Sequence, residues 1–144
     1  MLDHHWIAAH IPHTGRMCLL DTVLEWDARH IVCEALSHVA PDHPLRSDGR
    51  LGAAIGVEYA AQAMALHSAL LAPSDAAPVQ GYLASVRNLN LHVDRIDDLD
   101  AVIRVSAERV LGDARMAVYQ FQLHHHQRCL LDGRASVVLD AKAQ

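Results

Sequence analysis

From Leu51 to Ser74 the chain runs through twenty-four residues with one charged side chain, Glu58. This stretch, LGAAIGVEYAAQAMALHSALLAPS, is too long and too alanine-rich for a strand. It predicts a helix over about Gly52 to Ala72, with Gly49 ahead of it and Pro73 behind it as punctuation. Apolar residues occupy its whole circumference, so the helix is expected to be buried on most of its surface, and its Gly and Ala residues let a sheet approach closely. No Lys or Arg inside it can pair with Glu58. An unpartnered carboxylate in such surroundings stays protonated, finds donors, or serves chemistry. The length would also suit a membrane span. Glu58, Gln62 and His67 within it, and the amphipathic strands after it, argue against that.

After the helix the period changes to two. Leu89, Leu91 and Val93 alternate with Asn88, Asn90 and His92, and Ile103, Val105 and Ala107 alternate with Arg104, Ser106 and Glu108. Tyr119, Phe121 and Leu123 do the same with Gln120, Gln122 and His124, and Ala135 to Leu139 forms a fourth run. Strands with one wet and one dry face belong to an antiparallel sheet. Gly112-Asp113 and His126-Gln127 fall where hairpin turns are needed. Cys18 to Val23 and Ile31 to Ser37 are shorter strand candidates ahead of the helix. One helix dry on most faces requires a sheet that curls around it. The expected fold class is therefore α+β, a hotdog fold filling residues 1–144 as one domain. Edge strands of such a sheet are hidden by pairing across a dimer, so at least a homodimer is expected.

The net charge of −5 and the scarcity of aromatic residues argue against a nucleic-acid partner. Cys18, Cys33 and Cys129 lie far apart with no CxxC pair, as free thiols in a reducing compartment would. The N-terminus, MLDHHWIAAHIPH, has neither a basic region nor a long apolar run, so no signal peptide is expected and the cytoplasm is the expected location. Histidines 124–126 invite a metal, but consecutive strand residues face opposite ways and no Cys or acid sits at ligand spacing beside them. No metal is expected there.

Two stretches resemble a known family. Ile11-Pro12-His13, followed by Met17-Cys18-Leu19-Leu20-Asp21-Thr22-Val23-Leu24-Glu25, is similar to the opening of the 3-hydroxyacyl-[acyl carrier protein] dehydratases. Gly56-Val57-Glu58-Tyr59-Ala60-Ala61-Gln62-Ala63 resembles their central helix. With Asp48-Gly49-Arg50 just ahead, the likeness is closest to the dehydratase-like proteins of aryl-polyene gene clusters. The resemblance spans about residues 10 to 140. It departs at residues 41–50, where housekeeping members carry their catalytic histidine in a Gly-His-Phe-Pro turn that this chain lacks. His13 in the shared opening is the leading replacement. His43 is second, in an Asp-His-Pro setting that reads as an exposed turn.

Dehydration of a 3-hydroxyacyl thioester requires a base for the α-proton, an acid for the departing hydroxyl, and donors for the thioester oxygen. A neutral histidine suits the first task. Glu58 suits the second, provided burial keeps it protonated near neutrality. Backbone amides around Gly52 and Ala53, at the helix start, could be the donors. Gln62 is a further substrate-side candidate, although a structural hydrogen bond explains it more simply. His67 reads as a core or rim histidine. The resemblance implies no cofactor and a partner acyl carrier protein presenting a phosphopantetheine-linked chain. Arg16, Arg46, Arg50 and Arg87 could receive that acidic partner, though scattered arginines are usually solvated. A hotdog thioesterase, with the helix carboxylate directing water, and a non-catalytic acyl-binding subunit are the competing readings.

Overall fold

The computed structural model describes residues 1–11, 15–72, 79–113 and 115–141. A short helix, α1 (His4–His10), opens the chain, capped by the Asp3 carboxylate accepting from the Trp6 amide at 2.9 Å. Strands β1 (Thr22–Trp26) and β2 (His30–Ala35) follow, and a 3₁₀ turn at Ala53–Ile55 leads into α2 (Gly56–Leu71). The remainder is β3 (Val79–Leu91), β4 (Ile103–Gly112), β5 (Met116–His125) and β6 (Arg128–Ala141). All six strands form one antiparallel sheet in the order β1-β2-β4-β5-β6-β3. Helix α2 thus carries the chain across one face of the sheet, from β2 near one edge to β3 at the other.

The period-two runs became strands because their apolar members share a face. Ala117, Tyr119, Phe121 and Leu123 of β5 and Ile103, Val105 and Ala107 of β4 are buried against α2. Both expected turns are present. Asp113 accepts from the amides of Arg115 and Met116, and His126 takes a left-handed conformation at φ 56°. Close approach of helix to sheet depends on Gly56, where an added Cβ would lie 2.7 Å from a Leu131 methyl.

Three local expectations need correction. The helix is fully buried on one side rather than on most of its surface: Val57, Glu58, Ala61, Ala65 and Ser68 form a half-buried stripe opposite the buried Tyr59, Ala63 and Leu66. Residues Cys18–Leu20 form a buried loop rather than a strand, and β1 begins at Thr22. Strand β3 begins at Val79 instead of Asn88, because its pairing with β6 continues well before the alternating segment. β3 pairs only with β6 among the described residues, and Leu83, Leu89 and Leu91 on it are exposed.

Candidate active site

Helix α2 positions the site because its polar residues reach loops on either side. Gln62, fully buried, accepts from the Leu19 amide at 2.9 Å and donates from Nε2 to the Met17 carbonyl at 2.6 Å. Both ends of its amide are therefore engaged by the segment that follows the Pro-His opening. His13 itself lies outside the described residues, as do Pro12 and Thr14.

A second network starts at His43. Its Nδ1 accepts from the Leu45 amide at 3.1 Å, which leaves the proton on Nε2. Nε2 then donates to the Tyr59 hydroxyl at 3.1 Å, Tyr59 donates to Ser37 Oγ at 2.7 Å, and Ser37 donates to the Leu19 carbonyl at 2.8 Å. Each donor in the chain has one acceptor, so the direction of every proton follows from the first amide. Burial, with Arg46 nearby, lowers the His43 imidazole below its ordinary value and favours this neutral form. Burial pushes the Tyr59 phenol up to about 12. The Asp-His-Pro segment is a turn exposed at Asp42 and Pro44, but the His43 side chain within it is only 5% exposed.

The loop that holds His43 is braced by Arg46, which donates to three carbonyls: Ala40 at 2.8 Å, Gly49 at 2.6 Å and His38 at 3.0 Å. That engagement removes Arg46 from the candidate carrier-protein contacts. Asp48 and Gly49, both left-handed, turn the chain tightly between Ser47 and Arg50, as an Asp-Gly pair permits. Leu51 is pinned by its amide to Asp97, which also holds Arg95. Against this loop lies a cavity of about 310 Å³, bordered by Arg16, Cys18, Ser37, Asp42 and His43.

Glu58 begins the half-buried stripe of α2 and makes no hydrogen bond or ion pair among the described residues. It does not border the 310 Å³ cavity. Among the described residues the carboxylate makes no hydrogen bond or ion pair with His43. Of the expected oxyanion donors, the Ala53 amide is committed to the Asp94 carbonyl at 3.0 Å, while the adjacent Gly52 amide is left without a backbone acceptor among the described residues. His67 is a core histidine: Nε2 donates to the Asp27 carbonyl and Nδ1 accepts from Tyr119, both at 2.7 Å. Sequence reasoning missed His38, wholly buried, with neither ring nitrogen hydrogen-bonded among the described residues. Burial lowers its basicity, partly offset by the nearby Leu99 and Ala101 backbone.

A sheet curled around one long helix, with a lone carboxylate in the helix's first turn, defines a hotdog protein. The family model "ApeP-like: ApeP dehydratase" matches residues 5–144, and the chain belongs to that dehydratase family. No curated protein matches the sequence. Among solved structures, the dehydratase heterocomplex ApeI:P from Xenorhabdus doucetiae is similar at 22% identity and TM-score 0.79, over 94% of this chain and 91% of that one. A thioesterase from Haemophilus influenzae matches at 12% identity and TM-score 0.68, over 100% and 94% of the two chains. A hypothetical thioesterase with coenzyme A from Streptococcus pneumoniae matches at 12% and 0.64, over 98% and 97%. At these identities the likeness shows a shared fold. No helix among the described residues is long and apolar enough to cross a membrane.

Proposed function

We propose that this chain removes water from 3-hydroxyacyl thioesters held on an acyl carrier protein, giving trans-2-enoyl thioesters in polyene or fatty-acid-like synthesis in the cytoplasm. The observation that carries the reading is Glu58: a half-buried carboxylate without a partner, in the first turn of the central helix of a dehydratase-family chain. In this reading a histidine takes the α-proton, Glu58 protonates the departing hydroxyl, and the Gly52 amide with the α2 dipole steadies the thioester oxygen. His13 is the base. His43 is disfavoured because the Leu45 amide occupies its one lone pair. Since Glu58 does not border the 310 Å³ cavity, in this reading the site is completed across an interface formed on the edge of β3 that is unpaired among the described residues. The partner there is a second copy or, as the ApeI:P heterocomplex suggests, a related chain.

The test is incubation with a 3-hydroxyacyl carrier protein, followed by mass spectrometry. Loss of one water per acyl chain is expected, and release of the free acid instead would favour the thioesterase. Glu58→Gln and His13→Ala should each abolish water loss. Activity that survives His13→Ala and disappears in His43→Ala would move the base to His43.

A further inference from the structure

Away from the carboxylate on α2, two irregularities in the sheet bring together three side chains distant in sequence. β6 departs from regular alternation at Leu130, where its pairing with β5 slips between Leu131 and Cys129. Leu130 and Leu131 are consequently both buried, and Cys129 and Asp132, three apart, emerge together on the outer face. On β3 the register slips between Arg87 and Asn90, where Asn88 takes φ 53°. That slip sets Asn90 opposite Asp132, and the His92 amide donates to the Leu130 carbonyl at 2.8 Å.

The three ligand-type atoms, His92 Nε2, Cys129 Sγ and an Asp132 carboxylate oxygen, all lie within 4.8 Å of one another. His92 Nε2 stands 2.9 Å from Asp132 Oδ2, and Cys129 Sγ stands 3.8 Å from the same oxygen. A tetrahedral zinc ion spaces its nitrogen, oxygen and sulfur ligands by roughly 3.3–3.8 Å, so small side-chain shifts would admit one. The outer shell is also present: Asn90 Nδ2 donates to the other Asp132 oxygen at 2.9 Å and fixes the carboxylate plane. The order of contacts does not suit a cysteine nucleophile, which needs the histidine between thiol and carboxylate. Here the carboxylate is in the middle, as in a chelate.

We propose that His92, Cys129 and Asp132 bind one divalent ion of the zinc class, tying the end of β3 to the start of β6. On binding, the Cys129 thiol releases its proton to solvent, and the His92 proton moves from Nε2 to Nδ1 by exchange with water, so that the Nε2 lone pair and the Asp132 carboxylate both face the ion. One coordination position remains for water. His92 also borders a cavity of about 440 Å³ that includes Arg50, Arg95 and Arg128, so the ion would sit at its rim. The mixed nitrogen, oxygen and thiolate set favours zinc or cobalt over magnesium or calcium.

The experiment is titration of untagged, reduced, full-length protein with Co²⁺, followed by absorption spectroscopy. A sulfur-to-cobalt charge-transfer band should rise to one equivalent, and Zn²⁺ should abolish it. Saturating Zn²⁺ should also raise the melting temperature. Cys129→Ser and the exposed His92→Ala should each lose the band and the zinc-dependent rise. The double variant His125→Ala/His126→Ala, which removes the neighbouring cluster with Asp100, should keep both. Absence of the band in the parent protein overturns the proposal, and so does its persistence in Cys129→Ser, where Cys18 or Cys33 would be the ligand. None of these readouts depends on turnover.

Discussion

Replacing Gln62 by Leu separates a structural role from a substrate-binding one. The side chain is fully buried and joins α2 to the Met17–Leu19 segment by two hydrogen bonds, of 2.6 and 2.9 Å. Leucine preserves most of the volume but strands the Leu19 amide and the Met17 carbonyl. Each buried polar group left without a partner costs about 1–3 kcal/mol. The carbonyl is part-buried and gains some compensation from water, so the expected loss is about 2–4 kcal/mol. For a chain of this size each kcal/mol lowers the melting point by roughly 3 °C, giving a fall of about 6–12 °C. Gln62→Glu should be nearly as damaging at neutral pH, because an ionised carboxylate can accept from Leu19 but faces the Met17 carbonyl with no hydrogen to offer. Circular-dichroism melts and urea titrations of the two variants measure the loss. A Gln62→Leu melting point within about 2 °C of the parent, accompanied by a raised KM, would refute the structural reading and return Gln62 to the substrate.

Other outcomes follow from the same kind of accounting. Gly56→Ala places a methyl 2.7 Å from a Leu131 methyl in a closed core, and the variant should be about 1–2 kcal/mol less stable in urea despite alanine's better helix propensity. His38→Leu removes two buried nitrogens that have no hydrogen bonds among the described residues, so it should leave the melting point unchanged or raise it. Burial lowers the basicity of His38, His43 and His67, so the fold prefers their neutral forms. The stability this contributes is complete above the unfolded value of about 6.5 and is lost as pH falls through it toward the lower folded values. Unfolding free energies should therefore drop between about pH 7.5 and about pH 5.5, and equal values would contradict the assignment.

The architecture was readable because hydrophobic periodicity marks the elements: a long apolar helix, then β4 and β5, whose alternate residues face it, although the same alternation at Leu89 and Leu91 of β3 is exposed. What escaped the sequence depends on single hydrogen bonds and register slips. Helix α1 is seven residues long and rests on one cap at Asp3, too little pattern to register. His43 looked exposed beside Asp42 and Pro44, yet the Leu45 amide and Tyr59 hydroxyl give it a buried place. The meeting of His92 with Cys129 and Asp132 requires a bulge at Leu130, and an alternation count assigns Cys129 and Asp132 to opposite faces. Around the candidate site, the isolation of Glu58 on the helix and a structural hydrogen bond for Gln62 were legible. The base was not, since no spacing rule ties a histidine in an irregular loop to a helix carboxylate.

The buried polar residues of α2 make the strongest argument for Glu58. Tyr59 is held between His43 and Ser37, Gln62 between Leu19 and Met17, and His67 between Asp27 and Tyr119. Each ties a loop or strand to the helix, and each is silenced as a chemical group by having its hydrogen-bonding atoms filled. Glu58 sits among them with neither hydrogen bond nor ion pair among the described residues. A residue retained for the fold would lose stability on replacement, as Gln62 should. Glu58→Gln removes no interaction seen in this structure, so unfolding in urea should change by less than about 0.5 kcal/mol, the scatter of substitutions that touch no special feature. Turnover, in contrast, should be lost. A Glu58→Gln protein destabilised by about 2 kcal/mol or more would show that the carboxylate belongs to the packing of the helix, and the acid would then have to be sought elsewhere.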